Sequence, residues 1–307
     1  MRRLAIIGFL AVLSSLSMCC RPVVREEPPA QREAPKPTFD QIDKIVEEEI
    51  EKGNFPGAVV LVGRKDEILY WKAFGHQMIE PNVQPTSKDT IFDLASLTKP
   101  IATATSIMIL RDRGAIDLDD CVGAYLPAFA CNGKEEVRIR HLLTHTSGLP
   151  AYTNADALKE QFGRPCPERV IEKICGLEAA SKPGEEFRYS CLGYITLAKI
   201  VETVSGKGID AFSQENIFAP LGMKHIAYNP PGSWGKNIAG AEIADGLLFR
   251  GAVHDPLARL MAGVSGNAGL FSNAYDLSIY CRMLLNGGIY EGKRILSPEA
   301  INFLTTE

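Results

Sequence analysis

The sequence has neither a basic cluster nor an excess of positive charge. Its 307 residues include 33 lysines and arginines against 37 aspartates and glutamates, which gives a formal net charge of −4. Proteins that bind nucleic acid usually present a basic face to the phosphate backbone. The charge balance therefore argues against a nucleic-acid partner.

Cysteine is present, but not in the spacing of a structural motif. The eight cysteines form neither a C-x-x-C pair nor a dense framework. A chain of this length can build its core without disulfides. Individual disulfides are still possible, either between Cys121 and Cys131 or between Cys166 and Cys175.

A set of metal ligands is also missing. His141 and His145 have the i,i+4 spacing of a zinc site on a helix, but Leu142 stands where an H-E-x-x-H motif needs glutamate. No third ligand is obvious. We therefore predict structural roles for both histidines, and neither a metal nor a cofactor.

The apolar run at the amino end, Leu4 to Leu16, is too short for a comfortable membrane span. It follows Met1-Arg2-Arg3, a pattern typical of a secretory signal. The next residues resemble a bacterial lipoprotein cleavage box with Cys19 as the lipidated residue, although Met18 replaces the usual small residue. Lipidation of Cys19, simple cleavage and retention of the segment all stay open. Residues 1–19 are thus a predicted signal peptide.

The remaining chain divides into a tether and one domain. Residues 20–38 are rich in proline with mixed charges and lack an apolar period, which predicts an extended tether. From about Asp40, one apolar face predicts a helix that stops at Gly53; its residues are Ile42, Ile45, Val46 and Ile50. Residues 39–307 form the predicted domain.

The most informative feature is Ser96-Leu97-Thr98-Lys99, which precedes an apolar segment from Ile101 to Leu110. That segment lacks strand alternation and is followed by Gly114, which predicts a buried helix. Ser96 then lies at the helix N-terminus, with Lys99 one turn later on the same face. A serine nucleophile needs a base, and burial together with the helix dipole favours the neutral amine of a lysine base. Backbone N–H groups there can also hold an oxyanion.

Four motifs occur in a fixed order: Phe92–Lys99, Arg113–Asp120, Leu126-Pro127 and His141–Pro150. This set resembles the serine β-lactamase and penicillin-binding-protein superfamily, in the branch with class C β-lactamases, D-Ala-D-Ala carboxypeptidases and related esterases. The resemblance covers roughly residues 40 to 307. It implies that Ser96 is the nucleophile and that Lys99 is its base.

The family's second catalytic element is Tyr-x-Asn, and Tyr189-Ser190-Cys191 stands in its place. The resemblance implies that Tyr189 shuttles a proton between nucleophile and leaving group. Cys191 replaces an asparagine that binds substrate and orients the lysine, which affects substrate choice more than acylation. We expect Cys191 to be a small buried thiol at a substrate-binding position rather than a second nucleophile.

The stretch from Gly251 to Ser272 is similar to a segment of one subgroup of these hydrolases. Asn267 occupies a position that is usually histidine in that subgroup. His254 and Asp255 could imitate a Ser-His-Asp set with Ser96, but a Lys99–Tyr189 pair needs fewer assumptions. We therefore predict loop structure for residues 254–255.

The resemblance implies an α+β fold of the serine β-lactamase/transpeptidase type, an antiparallel sheet with helices and an inserted helical lobe. Ala58–Val62 and Ile68–Phe74 predict a hairpin, which is marginal on its own in water. No convincing strand pair follows Ile209. In the resembling family, further strands and a Lys/His-Thr-Gly motif follow the helix that begins here at Ser297. We therefore expect a C-terminally truncated chain that is not a competent enzyme by itself.

Together these features predict a serine hydrolase that attacks amide or ester carbonyls through an acyl-enzyme, resembling a D-Ala-D-Ala carboxypeptidase or an esterase. A peptidoglycan-like peptide, a β-lactam and a small ester all stay open as substrates. The alternatives are a β-lactamase and a non-catalytic cell-envelope protein. The predicted location is outside the bacterial inner membrane, either in the periplasm or tethered to the membrane by a lipid.

Overall fold

A computed structural model describes residues 38–65, 67–244 and 247–306. The predicted signal peptide, Cys19 and residues 20–37 of the predicted tether lie outside the described residues. Within the described ranges, none of the helices combines the length and the apolar character that a membrane span requires.

Helices dominate the described residues. They are α1 (Asp40–Glu51), α2 (Thr105–Asp112), α3 (Ile139–Leu143), α4 (Ala155–Phe162), α5 (Pro167–Gly176), α6 (Cys191–Ser205), α7 (Ile209–Ser213), α8 (Ala219–Leu221), α9 (Pro256–Leu260), α10 (Ala274–Leu285) and α11 (Pro298–Thr305).

The strands are mostly short. They are β1 (Gly57–Arg64), β2 (Glu67–Met78), β3 (Gln84–Pro85), β4 (Phe92–Asp93), β5 (Ile226–Tyr228), β6 (Glu242–Ala244), β7 (Leu247–Phe249), β8 (Leu270–Ser272), β9 (Ile289–Tyr290) and β10 (Lys293–Arg294). All strand ladders are antiparallel, in the orders β1-β2-β3, β4-β8-β5, β6-β7 and β10-β9. Helices and antiparallel strands together confirm the α+β fold class.

The predicted hairpin is present as β1 and β2, with Val60 opposite Lys72 and a bulge between Val62 and Gly63. No residue of β1 is fully buried. On β2, the Trp71 ring stacks on Tyr275 of α10 with centroids 5.6 Å apart. The hairpin therefore rests on α10 through partly exposed apolar side chains.

The predicted helix α1 is also confirmed, and Gly53 follows it with a φ of +77°. Its predicted apolar face is wrong at Ile45, which is 60% exposed. The helix is attached to β2 partly through polar groups, since the Asp43 carboxylate accepts hydrogen bonds from Tyr70 and Lys72. Because polar contacts help to hold α1 on β2, the helix can stay attached although Ile45 faces solvent.

Strand pairs do follow Ile209, contrary to the prediction, although among the described residues none of them joins the β1–β2 hairpin. Strand β8 lies between β4 and β5, with Phe92 opposite Ser272 and Ile226 opposite the same residue. Each of these strands is only two or three residues long, which is too short for alternation to show in the sequence. This small sheet ties the region before Ser96 to the second half of the domain.

The helix predicted after Ser96 forms, although its start is irregular. A 3₁₀ turn at Ala95–Leu97 is followed by a wide π-helical turn at Lys99–Ala104 and then by α2. Pro100 lies in the wide turn and has no N–H to donate, which favours a local departure from α-helical bonding. Gly114 follows α2 with a φ of +69°.

Helices α2 to α7 pack on one another and form what we call the helical lobe. Its centre is fully buried and apolar; examples are Ile107, Phe129, Leu142, Leu197 and Val201. The described cysteines within and around it are all free thiols, so neither of the two possible disulfides is formed. The lobe is therefore held by packing rather than by cross-links.

The helix predicted at Ser297 is α11. Its N-cap is Ser297, whose Oγ accepts a hydrogen bond from the backbone N–H of Ala300 at 3.0 Å. Pro298 occupies the first helical position, where its missing N–H has no intrahelical acceptor to lose. The capping signal in the sequence is thus confirmed.

Candidate active site

The turn before Ser96 is built by Asp93, a residue that the sequence did not single out. Asp93 Oδ1 accepts a hydrogen bond from the N–H of Ala95, and Asp93 Oδ2 accepts one from the N–H of His254, both at 2.9 Å. Ala95 has a φ of +44°, which is unfavourable for a residue with a Cβ. The carboxylate offsets this strain and fixes the direction in which the chain enters the Ser96 turn.

Lys99 is placed as the sequence predicts, one turn after Ser96 and in contact with it. Its side chain is buried, and the residue is 2% exposed. Lys99 Nζ lies 3.0 Å from Ser96 Oγ, 3.0 Å from the backbone oxygen of Asn267 and 3.5 Å from Cys191 Sγ. A serine hydroxyl and a buried amine thus meet at hydrogen-bonding distance, which is the geometry that proton transfer requires.

The structure also brings Tyr189 to this pair. Lys99 Nζ lies 4.8 Å from the centre of the Tyr189 ring and 5.9 Å from that of Tyr194. Tyr189 is 45% exposed, so its ring faces both the lysine and the solvent. Tyr194 is buried, and its hydroxyl donates to the backbone oxygen of Leu143 at 3.0 Å.

Cys191 differs from its prediction. It is the first residue of α6 and is partly exposed instead of buried. The start of α6 lies at the site, since Cys191 Sγ is close to Lys99 Nζ. Two hydrogen bonds hold this helix start: Cys191 N–H donates to the backbone oxygen of Ala151, and Ser190 Oγ accepts from Gly193 N–H. The partly exposed thiol therefore lies next to Lys99.

His145 belongs to the site, which the sequence did not predict. Its ring lies 4.4 Å from the Tyr189 ring, measured between centroids, and its Nδ1 accepts a hydrogen bond from the N–H of Ser190. Burial and, to a smaller extent, the Lys99 charge lower the pKa of His145 to about 4. His145 is therefore neutral at neutral pH and supports the Tyr189 segment through an aromatic contact and one hydrogen bond.

The two histidines have different neighbours. His141 Nδ1 accepts a hydrogen bond from the N–H of Arg138 at the start of α3. Among the residues that the structure describes, no group of three or more histidine, cysteine or acidic side chains is arranged to hold a metal ion. Of the two histidines, His141 helps to cap α3, and His145 contacts the Tyr189 ring.

Asn267 contributes its backbone to the site. Its carbonyl accepts the hydrogen bond from Lys99, while its side chain is fully buried and accepts a hydrogen bond from Ser265 Oγ at 2.7 Å.

The loop structure predicted for His254 and Asp255 is confirmed. His254 Nε2 faces the Glu242 carboxylate at 3.1 Å, and Asp255 caps α9.

A cleft of about 330 Å³ opens beside the Ser96 turn. The sheet and the loops supply its walls; they include Gly57, His76, Asp93, Ala95 and Glu242. The Lys99 amine is contacted by Cys191 and by the loop at Asn267, whereas the hairpin residues Gly57 and His76 line the cleft. The cleft reaches the neighbour of Ser96, Ala95, whereas Ser96 itself does not line it.

The β-lactamase family profile, described as "Beta-lactamase", matches residues 42–305 of the chain. A protein of Escherichia coli (strain K12), named as a candidate D-alanyl-D-alanine carboxypeptidase, is 32% identical over 340 residues, which cover 99% of this chain and 77% of that protein. A Bacillus subtilis (strain 168) N-acetylmuramyl-L-alanine amidase is 32% identical over 298 residues, 86% of this chain and 67% of the amidase.

Solved structures show the same fold. The octameric penicillin-binding protein homologue from Pyrococcus abyssi superposes with a TM-score of 0.70 at 29% identity, over 86% of this chain and 59% of its own. A class C β-lactamase from Rhodobacter sphaeroides gives a TM-score of 0.68 at 24% identity, over 86% of this chain and 69% of its own. The protein therefore belongs to the serine β-lactamase and penicillin-binding-protein superfamily, as its ordered motifs predicted.

Proposed function

We propose that the protein is a serine hydrolase that cleaves amide or ester carbonyls through an acyl-enzyme on Ser96. Ser96 Oγ attacks the carbonyl while its proton passes to Lys99 Nζ, and Tyr189 delivers a proton to the leaving group. Water then attacks the acyl-enzyme and releases the acid. The contact between the exposed Ser96 Oγ and the buried Lys99 Nζ, 3.0 Å long, carries this proposal.

The proposed substrate is a peptidoglycan-like peptide that ends in D-Ala-D-Ala. The support comes from the relatives, one of which is named as a candidate D-alanyl-D-alanine carboxypeptidase and another as an N-acetylmuramyl-L-alanine amidase. Cys191 occupies the position of the motif at which an amide is usual, so this site lacks one donor that an amide would direct at a substrate carbonyl. A β-lactam and a simple ester are the competing acyl donors.

The nucleophile is tested with a fluorescent fluorophosphonate. The wild-type protein should become labelled and Ser96→Ala should not, with peptide mapping of the labelled chain locating the adduct at Ser96. The matched control is Ser106→Ala, because Ser106 is a fully buried serine on the same helix. Labelling that survives Ser96→Ala would remove Ser96 from the role of nucleophile. A wild-type protein that never reacts would contradict the proposal, agree with the expectation that this chain is not a competent enzyme by itself, and favour a non-catalytic envelope protein.

The substrate class is tested by comparing three acyl donors at equal concentration. A diacetyl-Lys-D-Ala-D-Ala peptide should release D-alanine, measured with a coupled D-amino-acid oxidase, faster than nitrocefin or a p-nitrophenyl ester is hydrolysed. Faster nitrocefin turnover would show a β-lactamase, and ester turnover alone would show an esterase. The Ser96→Ala protein gives the background rate for all three assays.

We also propose export with a lipid on Cys19, which the amino-terminal sequence supports. In bacterial cells, the wild-type protein should enter the detergent phase of a Triton X-114 partition, and Cys19→Ser should move it to the aqueous phase or block its processing. Cys20→Ser is the matched control, since it changes the neighbouring thiol only. A wild-type protein found in the aqueous phase with an amino terminus elsewhere would exclude the lipid.

A further inference from the structure

The orientation of the Lys99 amine depends on a backbone carbonyl. An amine that accepts the Ser96 proton must direct its lone pair at Ser96 Oγ, so its N–H groups need acceptors elsewhere. The acceptors beside Nζ are Asn267 O at 3.0 Å and Cys191 Sγ at 3.5 Å. Sulfur is a weak acceptor, so the Asn267 carbonyl gives the stronger directional constraint. Its position decides where the lone pair points.

Two side-chain hydroxyls hold the loop that carries this carbonyl. Thr103 Oγ1 donates to the backbone oxygen of Gly266 at 2.8 Å, and Ser265 Oγ donates to Asn267 Oδ1 at 2.7 Å. Thr103 and Asn267 are fully buried, and Ser265 is 1% exposed. Water therefore cannot easily replace either bond, and each hydroxyl matters more than it would at the surface.

The loop is also pressed against α6. A Cβ added to Gly266 would lie 2.0 Å from the backbone oxygen of Tyr194, so only glycine allows this approach. On its other side, Tyr228 donates its hydroxyl to the backbone oxygen of Ser265 at 3.2 Å. The loop thus lies between two helices and a strand, and the Thr103 and Ser265 bonds select its exact placement within that space.

We propose that Thr103 and Ser265 are positioning residues for Lys99 and act through the loop Ser265–Asn267. This inference rests on the proposed function, because it assigns the loop to the orientation of the proposed base. Thr103 lies one turn after Lys99 in the same helical segment. The helix that carries the nucleophile and the base therefore also fixes the carbonyl that orients the base.

The test removes the hydroxyl and keeps the shape. Thr103→Val should lower the second-order rate of Ser96 labelling by fluorophosphonate by roughly 10- to 100-fold, because a small misplacement of a reacting group can cost that much. It should also change the shape of the pH–rate profile, which a loss of stability alone does not do. Thr103→Ser keeps the hydroxyl and should restore both the rate and the profile.

Thr196→Val is the matched control. Thr196 is equally buried, and its Oγ1 binds the backbone oxygen of Leu192 within α6 at 2.9 Å. This variant should keep the wild-type pH profile. A Thr103→Val protein with the wild-type rate and profile would overturn the assignment, and so would a Thr196→Val protein with the same changes as Thr103→Val.

A second measurement does not need catalysis. The ¹⁵N signal of the Lys99 side chain, assigned by its loss in Lys99→Arg, should shift and titrate differently in Thr103→Val and in Ser265→Ala, but not in Thr196→Val. If the wild-type protein is never labelled at Ser96, the proposed function fails while this signal still tests the positioning. If Thr103→Val does not fold, Ser265→Ala decides. An unchanged Lys99 signal would overturn the inference.

Discussion

The helical lobe and the β1–β2 hairpin bury their apolar residues to very different extents. The lobe centre is fully shielded, with Ile107 and Leu142 at 0% exposure, whereas every residue of β1 keeps part of its surface in contact with water. Of the three candidate catalytic residues, Lys99 is buried, whereas Ser96 and Tyr189 are exposed. Lys99 is thus held in the buried helical segment that leads into α2, whereas the hairpin contributes a wall of the neighbouring cleft.

The largest expected effect is the loss of rate when Lys99, the proposed base, is replaced. Lys99→Met should keep the apolar part of the side chain and lower kcat/KM for the best acyl donor by about 10²- to 10⁴-fold, the usual contribution of a positioned general base. The melting temperature should stay the same or rise, because a buried amine is replaced by an apolar group. Steady-state kinetics and a thermal melt measure the two effects. A variant with a near-normal rate would remove Lys99 from its role.

A leucine-to-alanine substitution in the helical lobe and one in β1 should reveal the difference in packing between the two regions. Leu142→Ala in the lobe should lower the free energy of unfolding by about 3–5 kcal/mol, because the fully buried site cannot collapse around the cavity. Leu61→Ala in β1 should cost about 1–2 kcal/mol, since its side chain is already partly exposed. Urea unfolding of both variants gives the comparison. Equal losses would show that the hairpin is packed as firmly as the lobe.

A smaller effect is expected from one hydroxyl beside Lys99. Tyr189→Phe should lower kcat by roughly 10- to 100-fold if the phenol delivers the proton to the leaving group. Tyr194→Phe is the matched control: burial raises the pKa of Tyr194 to about 12, and its hydroxyl binds a backbone oxygen. That variant should lose stability and keep the rate. Equal rates for both variants would exclude Tyr189 as the proton carrier.

The smallest effect concerns acid stability. The pKa of His145 falls from its ordinary 6.5 to about 4 on folding, so the unfolded chain binds more protons between these values. Stability should therefore decrease as the pH is lowered from about 6.5 to 4, by about 1–2 kcal/mol after allowance for the partial exposure of the ring. His145→Asn, which tolerates the φ of +59°, should remove this share of the decrease. Melts at pH 7, 5.5 and 4 measure it.

Local patterns in the sequence predicted the parts of the site that lie close together along the chain. The spacing of Ser96 and Lys99 fixes their contact, since both lie on one helical turn. Tyr189 was found through the resemblance, and the structure places its ring against Lys99. In contrast, the Asn267 carbonyl and the His145 ring reach the site through folding of distant segments. A backbone oxygen leaves no mark in the sequence, so no residue type could reveal it.

The same limit explains the errors in the fold. Strands β5 and β8 are too short for an alternating pattern, and they become strands only because β4 pairs with β8. Cys191 was expected to be buried because cysteine usually is, but it begins α6 at the edge of the site. Helices with caps and long apolar faces were predictable, because their signals are local.

The stacking of Trp71 on Tyr275 has a practical consequence for any unfolding experiment. The two tryptophans of the chain are Trp71 in β2 and Trp234, which lies near His225; both are outside the helical lobe. Indole fluorescence thus reports on the sheet side of the domain, whereas far-ultraviolet circular dichroism is dominated by the helices. Coincident transitions by the two signals would show that hairpin and lobe unfold as one cooperative unit. An earlier fluorescence transition would reveal a partly unfolded state in which the serine, the lysine and the tyrosine still lie together.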